Sequence, residues 1–133
     1  MIDYPSPDLS SSEKYWKFLR FALKYADCVG LSYTGDLSAF KESKWWETFS
    51  DSFIRHEYDE YGNLTVYLKI DHVTVEWLKS KRDIFDFWDN NDESFLWDLC
   101  FYKDGEEIFT TITHERLQYI SQEFYNEYIR KSK

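Results

Sequence analysis

Leu96-Trp97-Asp98-Leu99-Cys100-Phe101-Tyr102-Lys103, then Asp104-Gly105, then Glu106-Glu107-Ile108-Phe109-Thr110-Thr111: this stretch decides the fold. Two runs rich in aromatic and β-branched residues flank an Asp-Gly pair. A two-residue Asp-Gly loop favours the type I′ turn, whose twist matches that of paired strands. The spacing predicts a hairpin with Phe101 opposite Ile108, Leu99 opposite Thr110 and Trp97 opposite Ile112 on a core-facing side. Its other side pairs Asp98 with Thr111, Cys100 with Phe109 and Tyr102 with Glu107. That side is not purely polar, so a helix or a partner is expected to cover part of it.

Working outward, Ser52 to Tyr58 reads as β, Asp59 to Asn63 as a turn, and Leu64, Val66, Leu68 and Ile70 alternate with Thr65, Tyr67 and Lys69. Strict alternation predicts a strand with one face in the core, and hence a first hairpin. Between the hairpins, Val73, Trp77 and Leu78 after Asp71 predict a short helix ending near Arg82. Ser10-Ser11-Ser12-Glu13 matches a capping box with Ser10 at the cap. Tyr15, Trp16, Leu19, Ala22, Leu23 and Ala26 then recur at helical spacing to about Asp27. Residues 28–33 read as a strand or an extended connector. Gly35-Asp36 is a turn, and Phe40, Trp45, Trp46 and Phe49 form a second helix or an irregular aromatic segment. After the second hairpin, Thr113 is expected to cap a last helix. Glu115 then falls in its first turn, Leu117, Ile120, Phe124 and Tyr128 form its apolar stripe, and Arg130, Lys131 and Lys133 lie at its C-terminal end. The order predicts one α+β domain over residues 1–133, with residues 1–9 as a lead-in. Its antiparallel sheet consists of two hairpins with helices packed on one side.

Composition narrows the function. The chain has 133 residues, 21% of them aromatic, and carries 16 Lys and Arg against 25 Asp and Glu for a net charge of −9. Nucleic-acid binders need cations to displace phosphate counterions, and anionic membranes attract basic surfaces, so both partner classes are disfavoured. A cationic protein partner is favoured. The N-terminus lacks the basic and apolar regions of a signal peptide, and no apolar run approaches the ~20 residues of a membrane span, which points to the cytoplasm. Cys28 and Cys100 are then reduced thiols, read as small buried hydrophobes.

Enzyme chemistry finds little support. His56, His72 and His114 lack zinc spacing. On a strand, His56 and Glu57 point to opposite faces, and His114-Glu115 reads as a helix start. No nucleophile-elbow, phosphate-loop or dinucleotide glycine pattern occurs. No catalytic residue, metal ligand or cofactor is therefore assigned.

The charge concentrates between Asp83 and Asp98, where Asp83, Asp86, Asp89, Asp92, Glu93 and Asp98 alternate with Phe85, Phe87, Trp88, Phe95 and Trp97, with no Lys or Arg. A calcium loop is disfavoured because the turn glycine is missing. Two readings remain, a solvated surface whose aromatics turn inward and a face that captures a basic protein. The candidate binding residues are Asp86, Trp88, Asp89, Asp92 and Glu93, with Glu57, Asp59 and Glu60 as a second patch. Aromatics would anchor the partner and carboxylates would steer it.

The block Asp98-Leu99-Cys100-Phe101-Tyr102-Lys103-Asp104-Gly105, followed by Ile112-Thr113-His114-Glu115, resembles a recurrent C-terminal pattern of small, largely uncharacterised bacterial proteins. It covers one hairpin and a helix start and transfers no active site. As a small, acidic, aromatic single domain the chain is similar in type to immunity proteins of bacterial toxin systems. That resemblance implies an inhibitor of a basic toxin domain, possible targets including a nuclease. The alternative is a small ligand-binding or enzymatic domain with an aromatic-lined cavity near His114, Cys100 and Tyr102.

Overall fold

The short run at residues 28–33 turns out to be the middle of the sheet. In the computed structural model, which describes residues 8, 9, 11–87 and 96–131, β1 (Cys28–Tyr33) lies between β3 (Leu64–Lys69) and β4 (Leu96–Lys103), antiparallel to both. β2 (Phe53–Tyr58) pairs with β3, while β5 (Glu106–Ile112) pairs with β4 and with a further strand, β6 (Leu117–Ile120). The sheet order is β2-β3-β1-β4-β5-β6. The two expected hairpins are both present, but neither pairs with the other. Each docks on β1.

The helices are α1 (Ser12–Tyr25), α2 (Leu37–Lys41), α3 (Lys44–Phe49), α4 (His72–Lys79) and α5 (Gln122–Lys131). Each begins on a short polar side chain that accepts an otherwise orphaned backbone N–H. Ser11 accepts from Lys14, Asp36 from Ala39, Ser43 from Trp45, Asp71 from Thr74 and Ser121 from Phe124. The first cap is thus Ser11 rather than Ser10, which lies outside the described residues. Phe40 to Phe49, read as one segment, forms two short helices because Ser43 caps a second start.

Apolar residues decide which face of the sheet the helices cover. Val29, Leu31, Leu64, Val66, Leu68, Leu99, Phe101 and Phe109 are all buried, and they join Phe18, Leu19 and Ala22 of α1 and Phe124 of α5 in one core. Phe18 is the hub, with ring centroids 5.0 Å from Phe109, 5.6 Å from Phe124 and 5.2 Å from Tyr128. Such tilted and edge-on pairs add stability beyond area burial. Tyr15 is buried against α4 and donates to the Leu78 carbonyl at 2.7 Å. Among the described residues no helix is long and apolar enough to cross a membrane.

Three departures from the expected fold have local causes. First, the second hairpin keeps its expected register only near the turn. Asp104 and Gly105 both have positive φ, as a type I′ turn requires, and Tyr102 pairs with Glu107. The register then shifts, so that Phe101 pairs with Phe109 and Cys100 with Thr110, instead of with Ile108 and Phe109. Ile108 is the extra residue of this bulge, which is how it and Phe109 are both buried. Second, β4 bulges against β1 at Asp98, whose φ is 53°. Its backbone N–H donates to Thr113 Oγ1 at 2.9 Å and its carboxylate accepts from the Thr113 N–H at 2.7 Å. The bulge turns Trp97 to the side of Ser32 and Cys100, away from the core-facing side expected for it. Third, the last helix does not start at Thr113. Thr113–Glu115 is a single 3₁₀ turn, Arg116 is left-handed at φ 53°, and Leu117–Ile120 leaves as a strand, so the helix begins only at Gln122.

Candidate functional site

The face of the sheet turned away from the helices is the candidate site. Register places Arg55, Tyr67, Gly30, Cys100, Thr110 and Tyr119 in one row across it. A neighbouring row runs through Lys69, Cys28, Tyr102 and Glu107, and on the other side lie Glu57, Thr65, Ser32 and Trp97. The centre is aromatic and the rim is charged.

Tyr67 and Tyr102 form the centre, with ring centroids 5.1 Å apart at 66°. The Arg55 guanidinium lies 3.8 Å from the Tyr67 ring centroid, a cation–π contact. Arg55 also donates to Glu57, and the Tyr67 hydroxyl donates to the other Glu57 oxygen at 3.0 Å. Cross-strand pairing explains the arrangement, since Arg55 faces Tyr67 directly and Glu57 sits two residues along on the same face. Gly30 lies beneath Tyr102. A Cβ there would come within 2.8 Å of the Tyr102 ring, so the bare glycine is what leaves this ring its room.

Both thiols belong to this outer face and are only part-buried, a correction to their reading as buried hydrophobes. Cys100 Sγ lies 2.8 Å from Thr110 Oγ1. Burial, ahead of the nearby carboxylates, pushes the Cys100 thiol up to about 12, and burial also raises Cys28. Neither is a ready thiolate at neutral pH. Burial raises Tyr102 as well, with Cys100 and Glu107 contributing, so its hydroxyl stays protonated. Cys100 and Tyr102 face away from the helices, so they do not line the space between sheet and helices where an aromatic cavity was expected. Among the described residues no group of three or more His, Cys, Asp or Glu is placed to hold a metal.

At one end the outer face opens into a groove of about 640 Å³. Ser32, Thr65 and Trp97 line it from the sheet, and Asp36, Asp59 and Asp98 bring carboxylates. Each of the three also has a structural task. Asp36 caps α2, Asp98 holds Thr113, and Asp59 accepts from the N–H groups of Tyr61 and Asn63 and from the Asn63 side chain. The bonds from Asn63, then that from Tyr61, hold the Asp59 carboxyl below its usual range. None of the three is ion-paired with a described residue, so no described cation offsets their charge.

The residues singled out from the sequence are distributed unevenly. Glu57 lies on the outer face, Asp59 in the groove, and Glu60 at the exposed tip of the first hairpin. Asp86 lies in neither. It closes the loop after α4, accepting from the Arg82 backbone at 2.9 Å and from its guanidinium at 3.2 Å. Trp88, Asp89, Asp92 and Glu93 lie outside the described residues. Arg55, Tyr67 and Gly30 were not singled out. The one available signal was Gly30, a lone glycine inside an apolar run.

No protein-family model matches the chain, and neither a curated protein nor a solved structure is significantly similar to it.

Proposed function

We propose that this protein is an immunity-type inhibitor that binds and neutralises a basic bacterial toxin domain, a nuclease being one such class. The observation that carries this reading is the sheet face that no described helix covers, where Tyr102 packs on the buried Tyr67 and leads into a groove with Trp97 and three aspartates not ion-paired with a described residue. Interfaces have this anatomy, with an aromatic centre inside a polar rim, and Tyr, Trp and Arg dominate their hot spots. A partner's Arg or Lys entering the groove would meet the carboxylates of Asp36, Asp59 and Asp98. The net charge of −9 would hasten its approach. The acidic-aromatic residues Trp88, Asp89, Asp92 and Glu93, which precede β4 in the chain, are proposed as further contacts to the same partner.

The test is capture of a partner from the source cells by the tagged protein at low and at high salt. The captured protein is then expressed with and without this chain. A basic protein that is released by salt, toxic alone and harmless in co-expression supports the reading. Glu57→Lys and Tyr102→Ala should each weaken its binding at least tenfold, about 1.4 kcal/mol. A captured protein without toxicity, or one indifferent to both substitutions, would refute respectively the function and the site.

A further inference from the structure

The acidic chain carries one strongly basic element. α1 holds Lys14, Lys17, Arg20 and Lys24 against a single carboxylate, Glu13. Lys17, Arg20 and Lys24 follow helical spacing on the side opposite the buried Tyr15, Phe18, Leu19 and Ala22. All three are exposed, and none is ion-paired with a described residue. Like charges stacked along a helix face repel one another, yet no described carboxylate offsets this row.

A groove runs along each side of the ridge. One, of about 390 Å³, has Trp16, Leu19 and Leu23 as its floor and Lys79 on its far wall. The other, of about 490 Å³, has Phe21 and Tyr25 as its floor and Lys131 opposite. Arg20 borders both. Trp16 is 48% exposed and oriented by donation from Nε1 to the Lys81 carbonyl at 3.3 Å.

We propose that this ridge docks an acidic amphipathic protein segment, its carboxylates over Lys17, Arg20 and Lys24 and its apolar side chains in the two flanking grooves. Charge complementarity selects the sign of the partner, and the apolar floors select for side chains between its acids. A nucleic acid fits less well, because base stacking needs free ring faces. The Phe21 ring is already stacked against both Tyr25 and Phe124, at 5.7 and 5.5 Å. An anionic bilayer also fits less well, because a membrane-surface helix buries a broad apolar face, whereas Trp16 is the one large apolar side chain of α1 that is exposed. The ridge points away from the sheet, so the inference does not depend on the partner proposed for the outer face.

The probe is a fluorescein-labelled synthetic peptide with Asp and Glu alternating with Leu and Phe at helical spacing, read by anisotropy against the full chain. Saturable binding is expected, weakened at least tenfold in Arg20→Glu/Lys24→Glu and by raised salt, and unchanged in Lys69→Glu on the far side of the molecule. Both ridge positions are exposed, and circular dichroism checks that the variant is folded. A control peptide with Leu and Phe replaced by Ser should bind several-fold more weakly. Absence of saturable binding, or equal binding of the Ser peptide, would overturn the proposal. So would a single-stranded oligonucleotide or anionic vesicles outcompeting the peptide, or self-association of the chain that Arg20→Glu/Lys24→Glu abolishes.

Discussion

Replacing Gly30 by Ala should destabilise the protein through a single contact. The added Cβ would sit 2.8 Å from Tyr102 Cε2, well inside van der Waals distance, and only 3.5 Å from Thr65, which is ordinary contact. Tyr102 cannot easily move aside, because its ring packs edge-on against Tyr67, which Glu57 and Arg55 hold in turn. Overpacking of this kind costs about 1–3 kcal/mol. Against it, alanine restricts the unfolded chain and returns about 0.4–1 kcal/mol. The net loss is about 1 kcal/mol, or roughly 3–4 °C in Tm for a chain of this size. Urea denaturation of wild type, Gly30→Ala, Tyr102→Ala and the double variant isolates the contact. In the Tyr102→Ala background the clash partner is gone, so Gly30→Ala should become neutral or slightly stabilising. An equal penalty in both backgrounds would show that the cost comes from elsewhere, and the account of Gly30 as the seat of the Tyr102 ring would fall.

Other substitutions probe the remaining contacts. Asp98→Ala removes the acceptor for the Thr113 N–H and leaves a left-handed residue without its tether, costing about 1–3 kcal/mol. Asp98→Asn, which keeps an oxygen and tolerates that conformation, should cost less than half as much in the same denaturation assay. Asp71→Ala should cost about 1–2 kcal/mol, since Asp71 caps α4 and accepts from Ser52 Oγ at 2.6 Å. Burial opposes ionisation of Asp71, but the bonds from Ser52 and Thr74 outweigh it and lower its pKa. Its contribution is therefore present above the unfolded value and lost as pH falls through the lower folded value. Wild-type and variant stabilities should converge below about pH 4. In a Cys28→Ser background Cys100, held near 12, should be about 10⁻⁴ thiolate at pH 8. A disulfide reagent should then modify the folded protein far more slowly than the unfolded one, and equal rates would contradict the raised thiol.

How much of this was legible in the sequence depended on the range of the interactions. Both hairpins were readable because their signals are local, alternation from Leu64 to Lys69 and the Asp104-Gly105 turn. β6 was misread as helix because Leu117, Ile120, Phe124 and Tyr128 happen to fall at helical spacing, and four residues are too few for alternation to show. What breaks the pattern is Arg116 in a left-handed conformation, a tertiary outcome. The bulges at Ile108 and Asp98 were equally hidden, and with them the side on which Trp97 lies. For the site, composition flagged carboxylates but not their engagements. Asp86 is held by Arg82 four residues before it, and Glu57 by Arg55 two residues before it on the same strand face. The Tyr67–Tyr102 centre joins residues from two hairpins and became visible only once β1 was placed between them.

That placement has a consequence for how the molecule comes apart. Val29 pairs with Leu68 on one side and Phe101 on the other, while β3 and β4 are not paired with each other and meet through side chains such as Tyr67 and Tyr102. Among the described residues, the six residues of β1 thus carry the strand pairing between the two halves of the sheet. Each hairpin can form and open on its own local contacts, but the sheet becomes one cooperative unit only when this strand is seated between them. Amide exchange should follow that hierarchy, with the β2 edge exchanging through small local openings and the amides of Val29 and Leu31 exchanging only when the whole domain unfolds.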